Sequence, residues 1–164
     1  MRELILLLVA LILHECGHIL AASIMSIPVR SVNICAIGAA ITFDFSRVGY
    51  AKEAIVHFSG PLFGIVSGIG AHLAFGESAN YFAGVSVVLT ALNLLPIRGF
   101  DGGGLLRCLL SLFFLPDTVW RICRGMSVIS VLILWSGILW IELRAGVNLG
   151  LLIFIIGILL GKIN

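Results

Sequence analysis

Two histidines four residues apart, with a glutamate directly after the first, lie in an otherwise apolar stretch near the N-terminus: His14, Glu15 and His18. In an α-helix the two imidazoles lie on nearly the same face, one turn apart. They can then bind one metal ion, and the adjacent carboxylate can act as general base toward water that the metal activates. The spacing is typical of zinc hydrolases, but it also occurs by chance.

A catalytic zinc ion needs a third protein ligand, which must come from another segment. Asp44 falls in a predicted hairpin and Asp117 in a loop, whereas Asp101 follows a Pro- and Gly-containing break in an apolar segment. Irregular backbone at membrane depth is tolerated only where it is buried or lines a wet cavity. The sequence therefore predicts one zinc ion per chain, bound by His14, His18 and Asp101.

Two other interpretations of these residues stay open at this point. Ionisable groups in the middle of a bilayer cost roughly 2.5–3.5 kcal/mol each on insertion scales and usually mark function. The same residues could line a proton or metal path in a transporter or channel, or could bond to neighbouring helices. Transporters often show corresponding interruptions in two halves of the chain, whereas this sequence shows one.

The composition determines the surroundings of this chain. Of its 164 residues, 60% are hydrophobic and 11% are charged, and the mean hydropathy is +1.19. Soluble domains contain about 25% charged residues, so the chain is predicted to be an integral, multi-pass membrane protein. Its net charge of +2 is too small to indicate a nucleic-acid partner.

The apolar segments predict an all-α polytopic membrane protein with about five to six transmembrane helices, the third of them broken. The predicted passes are 4–25, 51–75, 81–115, 119–141 and 147–161. The whole chain, 1–164, is taken as one membrane domain, with a catalytic core at 1–115 and accessory transmembrane helices at 116–164.

Two local patterns refine this outline. Residues 29–46 alternate apolar and polar side chains around Gly38, which predicts a small membrane-associated β-hairpin with its turn at that glycine. Gly60, Gly64 and Gly68 lie on one face of the second pass, which predicts a surface for close packing of another helix.

Basic residues predict the orientation in the membrane. Arg30, Arg47 and Lys52 lie between the first two passes, whereas the loop 76–80 contains no Lys or Arg. Positive charge favours the cytoplasmic side, so the N-terminus is expected outside. Five passes fit this rule, whereas six would put Lys162 on the wrong side.

Two motifs together resemble those of the site-2 protease family of intramembrane zinc metalloproteases. "HECGH" at 14–18 matches HExxH, and "NLLPIRGFDG" at 93–102 matches N-x-x-P-x-x-x-x-D-G at every fixed position. The resemblance covers residues 4 to about 115. It is strongest to the short forms without PDZ or CBS domains, similar to the branch that processes a sporulation sigma factor.

The resemblance implies a protease that hydrolyses peptide bonds within or near transmembrane segments of membrane proteins. It assigns zinc binding to His14, His18 and Asp101, the general base to Glu15, and a place near the substrate to Asn93. The implied partners are a membrane-protein substrate and the lipid bilayer, with a regulatory membrane protein as a further candidate. A catalytically idle relative that only binds membrane proteins is a third hypothesis, which the presence of Glu15 disfavours. We expect a prokaryotic plasma membrane, with the active site towards the cytoplasm.

Three features are interpreted in two ways each. Arg98 departs from the family pattern and is expected to extend to the cytoplasmic surface, rather than to bind the peptide carbonyl oxygen. His57 is expected to be a partly solvated interfacial histidine, rather than to assist the reaction. The hairpin could bind unwound substrate as an added strand, or could be a simple connector at the interface.

Overall fold

The computed structural model describes residues 1–35 and 38–145, which form five α-helices and one two-stranded sheet. The elements are α1 (Arg2–Ile24), β1 (Val29–Cys35), β2 (Gly38–Phe43), α2 (Tyr50–Phe75), α3 (Asn80–Asn93), α4 (Asp101–Ser111) and α5 (Pro116–Ala145). A 3-10 turn, Gly76–Ala79, joins α2 to α3. The pass predicted at 147–161 lies outside the described residues.

Three helical segments of the described chain are long and apolar enough to cross a bilayer: Arg2–Ile24, Tyr50–Asn93 and Pro116–Glu142. The second contains both α2 and α3, which run antiparallel, because Gly64 lies beside Thr90 and Gly68 beside Ser86. The chain is thus a mostly helical membrane protein. A total of five to six passes stays a prediction.

Glycines let α1, α2 and α3 approach one another closely. Gly17 of α1 faces the backbone of α2, where a methyl group on Gly17 would lie 2.6 Å from the carbonyl oxygen of Ser59. A methyl group on Gly68 would lie 3.0 Å from the Cβ of Ser86 in α3. The predicted glycine face of α2 is therefore confirmed as a packing surface, and it packs within this chain.

Buried and exposed residues are distributed as a bilayer favours. Large apolar side chains lie outside, with Leu73 79% and Ile24 74% exposed, whereas His14, Ser86 and Thr90 are buried. Apolar side chains gain nothing by leaving lipid, so close backbone approach and polar contacts decide which residues face inward. The helix bundle can therefore hold a polar site at its centre.

The predicted hairpin is confirmed, since β1 and β2 pair antiparallel. The sequence places Gly38 in the turn, whereas the structure pairs it with Cys35 as the first residue of β2. Phe43 attaches the hairpin to the helices by packing into a buried cluster. The other members of that cluster are Ala22, Ile27 and Val56.

The predicted break in the third apolar segment is confirmed as the irregular stretch between α3 and α4. Ser127 of α5 satisfies two backbone groups of this stretch. Its hydroxyl donates to the carbonyl oxygen of Pro96 at 3.1 Å and accepts from the N–H of Arg98 at 3.0 Å. Ile97 of the break is buried against Val131 of α5. Helix α5 thus fixes the backbone that leads into α4.

Candidate metal centre

Two buried histidines of α1 form one side of a polar cluster. His14 is 2% and His18 6% exposed, and their ring centroids lie 5.0 Å apart. Both face α2, where Gly60 leaves room for the His18 imidazole. The Nδ1–H of His18 donates to the carbonyl oxygen of Val56 at 2.7 Å. A carbonyl only accepts, so Nε2 of His18 keeps its lone pair for a ligand.

Asp101, the first residue of α4, completes the cluster. Its Oδ2 lies 3.0 Å from Nε2 of His14 and 3.2 Å from Nε2 of His18. The two Nε2 atoms are 3.3 Å apart. A Cβ at Gly102 would overlap the carbonyl group of Leu94, so a glycine after Asp101 is what allows α4 to begin this close to the end of α3.

These three atoms fit a tetrahedral zinc ion. At Zn–N and Zn–O distances of 2.0–2.1 Å, two ligands of a tetrahedron lie about 3.3 Å apart, and the observed separations are 3.0, 3.2 and 3.3 Å. Two imidazoles and one carboxylate are a donor set typical of catalytic zinc with one open position. Within the described chain, Nδ1 of His14 has no hydrogen-bond partner, so the protein fixes the ring of His18 more firmly than that of His14.

Glu15 lies next to this cluster and is half-buried. Its carboxylate interacts electrostatically with His18, His14 and Asp101. A carboxylate in this position can accept a proton from water near the three ligand atoms. The structure thus brings together the four residues on which the sequence prediction depends most.

Asn93, which ends α3, and Arg98, which lies within the break, do not join the cluster. The Nδ2 of Asn93 donates to the carbonyl oxygen of Leu89 at 3.1 Å, within its own helix. Arg98 is exposed, as expected of a side chain that extends toward the surface. A role of Asn93 near the substrate stays a prediction.

A second polar group lies between α2 and α4, and it combines His57 with two residues that the sequence did not point to, Glu53 and Arg107. The His57 side chain is 23% exposed, in agreement with partial solvation. Buried Glu53 forms an ion pair with Arg107. His57 lies between two carboxylates, with Nε2 3.9 Å from Oε1 of Glu53 and Nδ1 3.7 Å from Oδ1 of Asp101. Glu53 and His57 have the same i, i+4 spacing as the histidines of α1, which is the signal that could have identified them. Only the fold connects Arg107 to them.

Comparison with known proteins agrees with this geometry at the level of fold. No family model and no curated protein matches the sequence. The structure is similar to "Site-2 Protease from Methanocaldococcus jannaschii", with a TM-score of 0.69 and 20% sequence identity, over 98% of this chain and 76% of that one. At this identity the likeness shows a shared fold. The expected resemblance to site-2 proteases is thereby confirmed for the fold.

Proposed function

We propose that this chain is an intramembrane zinc metalloprotease that hydrolyses peptide bonds within or near transmembrane segments of membrane proteins. One observation carries the proposal: His14, His18 and Asp101 converge with zinc-ligand spacing inside an apolar bundle whose fold is similar to a site-2 protease. Glu15 beside them supplies a general base, which a zinc hydrolase needs and a protein that only binds metal does not.

His14, His18 and Asp101 would hold one zinc ion per chain. When bound, zinc supplies a Lewis acid that activates water and polarises the scissile carbonyl group. The hydrogen bond from His18 to the carbonyl oxygen of Val56 fixes the tautomer and the ring plane, and so presents Nε2 to the metal.

Glu15 acts as general base and then as general acid. Its carboxylate takes a proton from the attacking water and later passes that proton to the leaving amine. The half-buried position supports this role, because a base that exchanges protons with water must remain accessible to it.

The substrate must unwind before it can be cut, because a transmembrane helix shields its peptide bonds within its own hydrogen bonds. The β1–β2 hairpin is a two-stranded sheet and therefore has unpaired edges to which an extended segment can add. Buried Phe43 attaches the hairpin near the C-terminal end of α1 and the N-terminal end of α2. Asn93, at the end of α3, is proposed to contact the same segment.

The positive-inside rule supports a cytoplasmic position for the hairpin, since Arg30, Arg47 and Lys52 lie in or next to it and are exposed. Peptide release would then occur toward the cytoplasm of a prokaryotic cell. A membrane-protein substrate, and a regulatory membrane protein as a further candidate, are the partners we propose.

The deciding experiment compares Glu15→Gln with the parent chain and with Glu77→Gln, a matched exposed control in the turn after α2. Each purified protein is analysed for zinc content and for cleavage of a single-pass membrane substrate. We expect stoichiometric zinc in all three proteins and loss of cleavage only in Glu15→Gln. A fourth variant, Asp101→Asn, alters a proposed ligand and should therefore lower the zinc content in addition to cleavage.

Two results would contradict the proposal. Full cleavage by Glu15→Gln would exclude the general-base role. Zinc-dependent transport in liposomes, without cleavage by the parent chain, would instead favour a transporter that uses His14, Glu15, His18 and Asp101 as its path.

A further inference from the structure

The carboxylate of Asp101 has one oxygen that the candidate metal centre leaves unused. Oδ2 lies near both histidine Nε2 atoms, whereas Oδ1 points to His57, whose Nδ1 is 3.7 Å away. A carboxylate bound to metal through one oxygen can rotate about its Cβ–Cγ bond unless the other oxygen is held. Groups that hold a ligand in this way typically change metal affinity by about 10- to 100-fold.

His57 is itself held in place on several sides. Its ring lies 5.8 Å, centroid to centroid, from that of Phe45. Its edge packs on Gly104 so closely that a Cβ there would overlap the imidazole. Its Nε2 faces Glu53 at 3.9 Å. The imidazole thus lies between the carboxylates of Glu53 and Asp101, and its packing on Phe45 and Gly104 restricts its movement.

Glu53 and Arg107 form the outer end of this arrangement. The Glu53 side chain is 5% exposed, and the Arg107 side chain that pairs with it is 46% exposed. A buried carboxylate is costly without a partner, and the guanidinium provides the charge and the hydrogen-bond donors that it needs. Because Arg107 belongs to the same helix as Asp101, the ion pair also fixes α4 against α2.

Glu53, His57 and Cys108 could instead bind a second metal ion, since their ligand atoms lie within 4.8 Å of one another. Arg107 disfavours this alternative. Its guanidinium contacts the Glu53 carboxylate that a metal would need, and its positive charge repels a cation.

We propose that His57 is a positioning residue that holds Oδ1 of Asp101, so that Oδ2 is directed at the metal, with Glu53 and Arg107 fixing His57 in turn. This inference rests on the proposed function and extends it to residues outside the ligand set. In this role His57 donates its Nδ1–H to Oδ1, and the 3.7 Å between Nδ1 and Oδ1 is short enough for a small movement of either side chain to form the hydrogen bond.

The test measures zinc affinity directly, by chelator competition with the purified full chain. We expect His57→Ala to weaken zinc binding by roughly 10- to 100-fold. His57→Gln should recover part of this loss, because its amide can still donate. Gly104→Ala keeps the imidazole but displaces it, so it should also weaken binding. His72→Ala, at an exposed histidine of the same helix, should match the parent.

The outcomes separate this inference from the proposed function. Parental zinc affinity in both His57→Ala and Gly104→Ala would overturn the positioning role and leave the protease proposal standing. Two zinc ions per chain, one of them lost in His57→Ala, would overturn it in favour of the second metal site. A parent chain that binds no zinc would overturn both proposals.

Discussion

Replacing Gly60 by alanine tests the metal centre without altering any candidate ligand. Gly60 lies on α2 opposite the His18 imidazole, and an added Cβ would overlap Nε2, the atom assigned to the metal, and lie 2.7 Å from Cδ2. Carbon atoms in contact prefer about 3.5–4.0 Å. The imidazole must therefore move by about 1 Å, since α1 and α2 are already in backbone contact and cannot separate without loss of packing.

The size of this displacement decides the expected effect. Zinc–ligand distances in real sites lie within about 0.2 Å of their standard values, so a shift of about 1 Å removes His18 from the ligand set. It also breaks the 2.7 Å hydrogen bond from Nδ1 of His18 to Val56. We expect Gly60→Ala to weaken zinc binding by on the order of 100-fold or more, and cleavage by at least about 100-fold.

The matched control is Gly70→Ala, because Gly70 is an exposed glycine of the same helix with nothing within 4 Å of an added Cβ. It should bind zinc like the parent, with a helix stabilised by up to about 1 kcal/mol. Zinc affinity is measured by chelator competition and folding by circular dichroism. Equal zinc affinity and cleavage in Gly60→Ala and Gly70→Ala would refute the assignment of His18 Nε2 as a ligand at this position.

Three further predictions concern the surroundings of the site. Arg107→Met removes the guanidinium that pairs with buried Glu53 and should lower the free energy of unfolding by about 1–3 kcal/mol. Thermal unfolding in detergent measures this, and an equal effect of exposed Arg121→Met would contradict it. Trp120 and Trp140 stack with Arg124 and Arg144 near the two ends of α5, and 20 residues of helix span about 30 Å, the thickness of the hydrocarbon core. In variants that keep only Trp120 or only Trp140, headgroup-level probes should therefore quench the fluorescence. Quenching by acyl-chain probes would contradict the placement of both tryptophans at the membrane surfaces. Replacing 33–40 with an Asn-Gly turn keeps the Val32–Ile41 pair and Phe43, so zinc should be retained while cleavage falls several-fold; undiminished cleavage would favour the connector interpretation of the hairpin.

Local features of the fold could be predicted because short-range geometry determines them. Helix periodicity places His14 and His18 on one face, and alternation of side chains identifies the hairpin. The Pro- and Gly-containing stretch before Asp101 identifies the break. Gly38, which the sequence places in the turn, pairs with Cys35 as the first residue of β2, and the two residues between them lie outside the described part of the chain.

Apart from the approach of Asp101 to His14 and His18, which the ligand requirement of zinc predicts, contacts between distant segments could not be predicted from these rules. That Glu53 pairs with Arg107, and that His57 lies between Glu53 and Asp101, depends on how α2 and α4 pack. The support that Ser127 gives to the break depends likewise on α5. Neither charge nor periodicity in one segment contains this information.

The sequence by itself determined the donor types, their spacing on α1 and the apolar setting that makes them costly unless they are used. Only the tertiary structure decided that Oδ2 of Asp101 meets both Nε2 atoms at 3.0 and 3.2 Å, and that Gly60 and Gly104 accommodate the imidazoles of His18 and His57. The physical reason is that ligand type and helical face are properties of a few consecutive residues. A separation of about 3 Å between residues far apart in the chain requires helix backbones to approach closely, which small residues on several helices determine together.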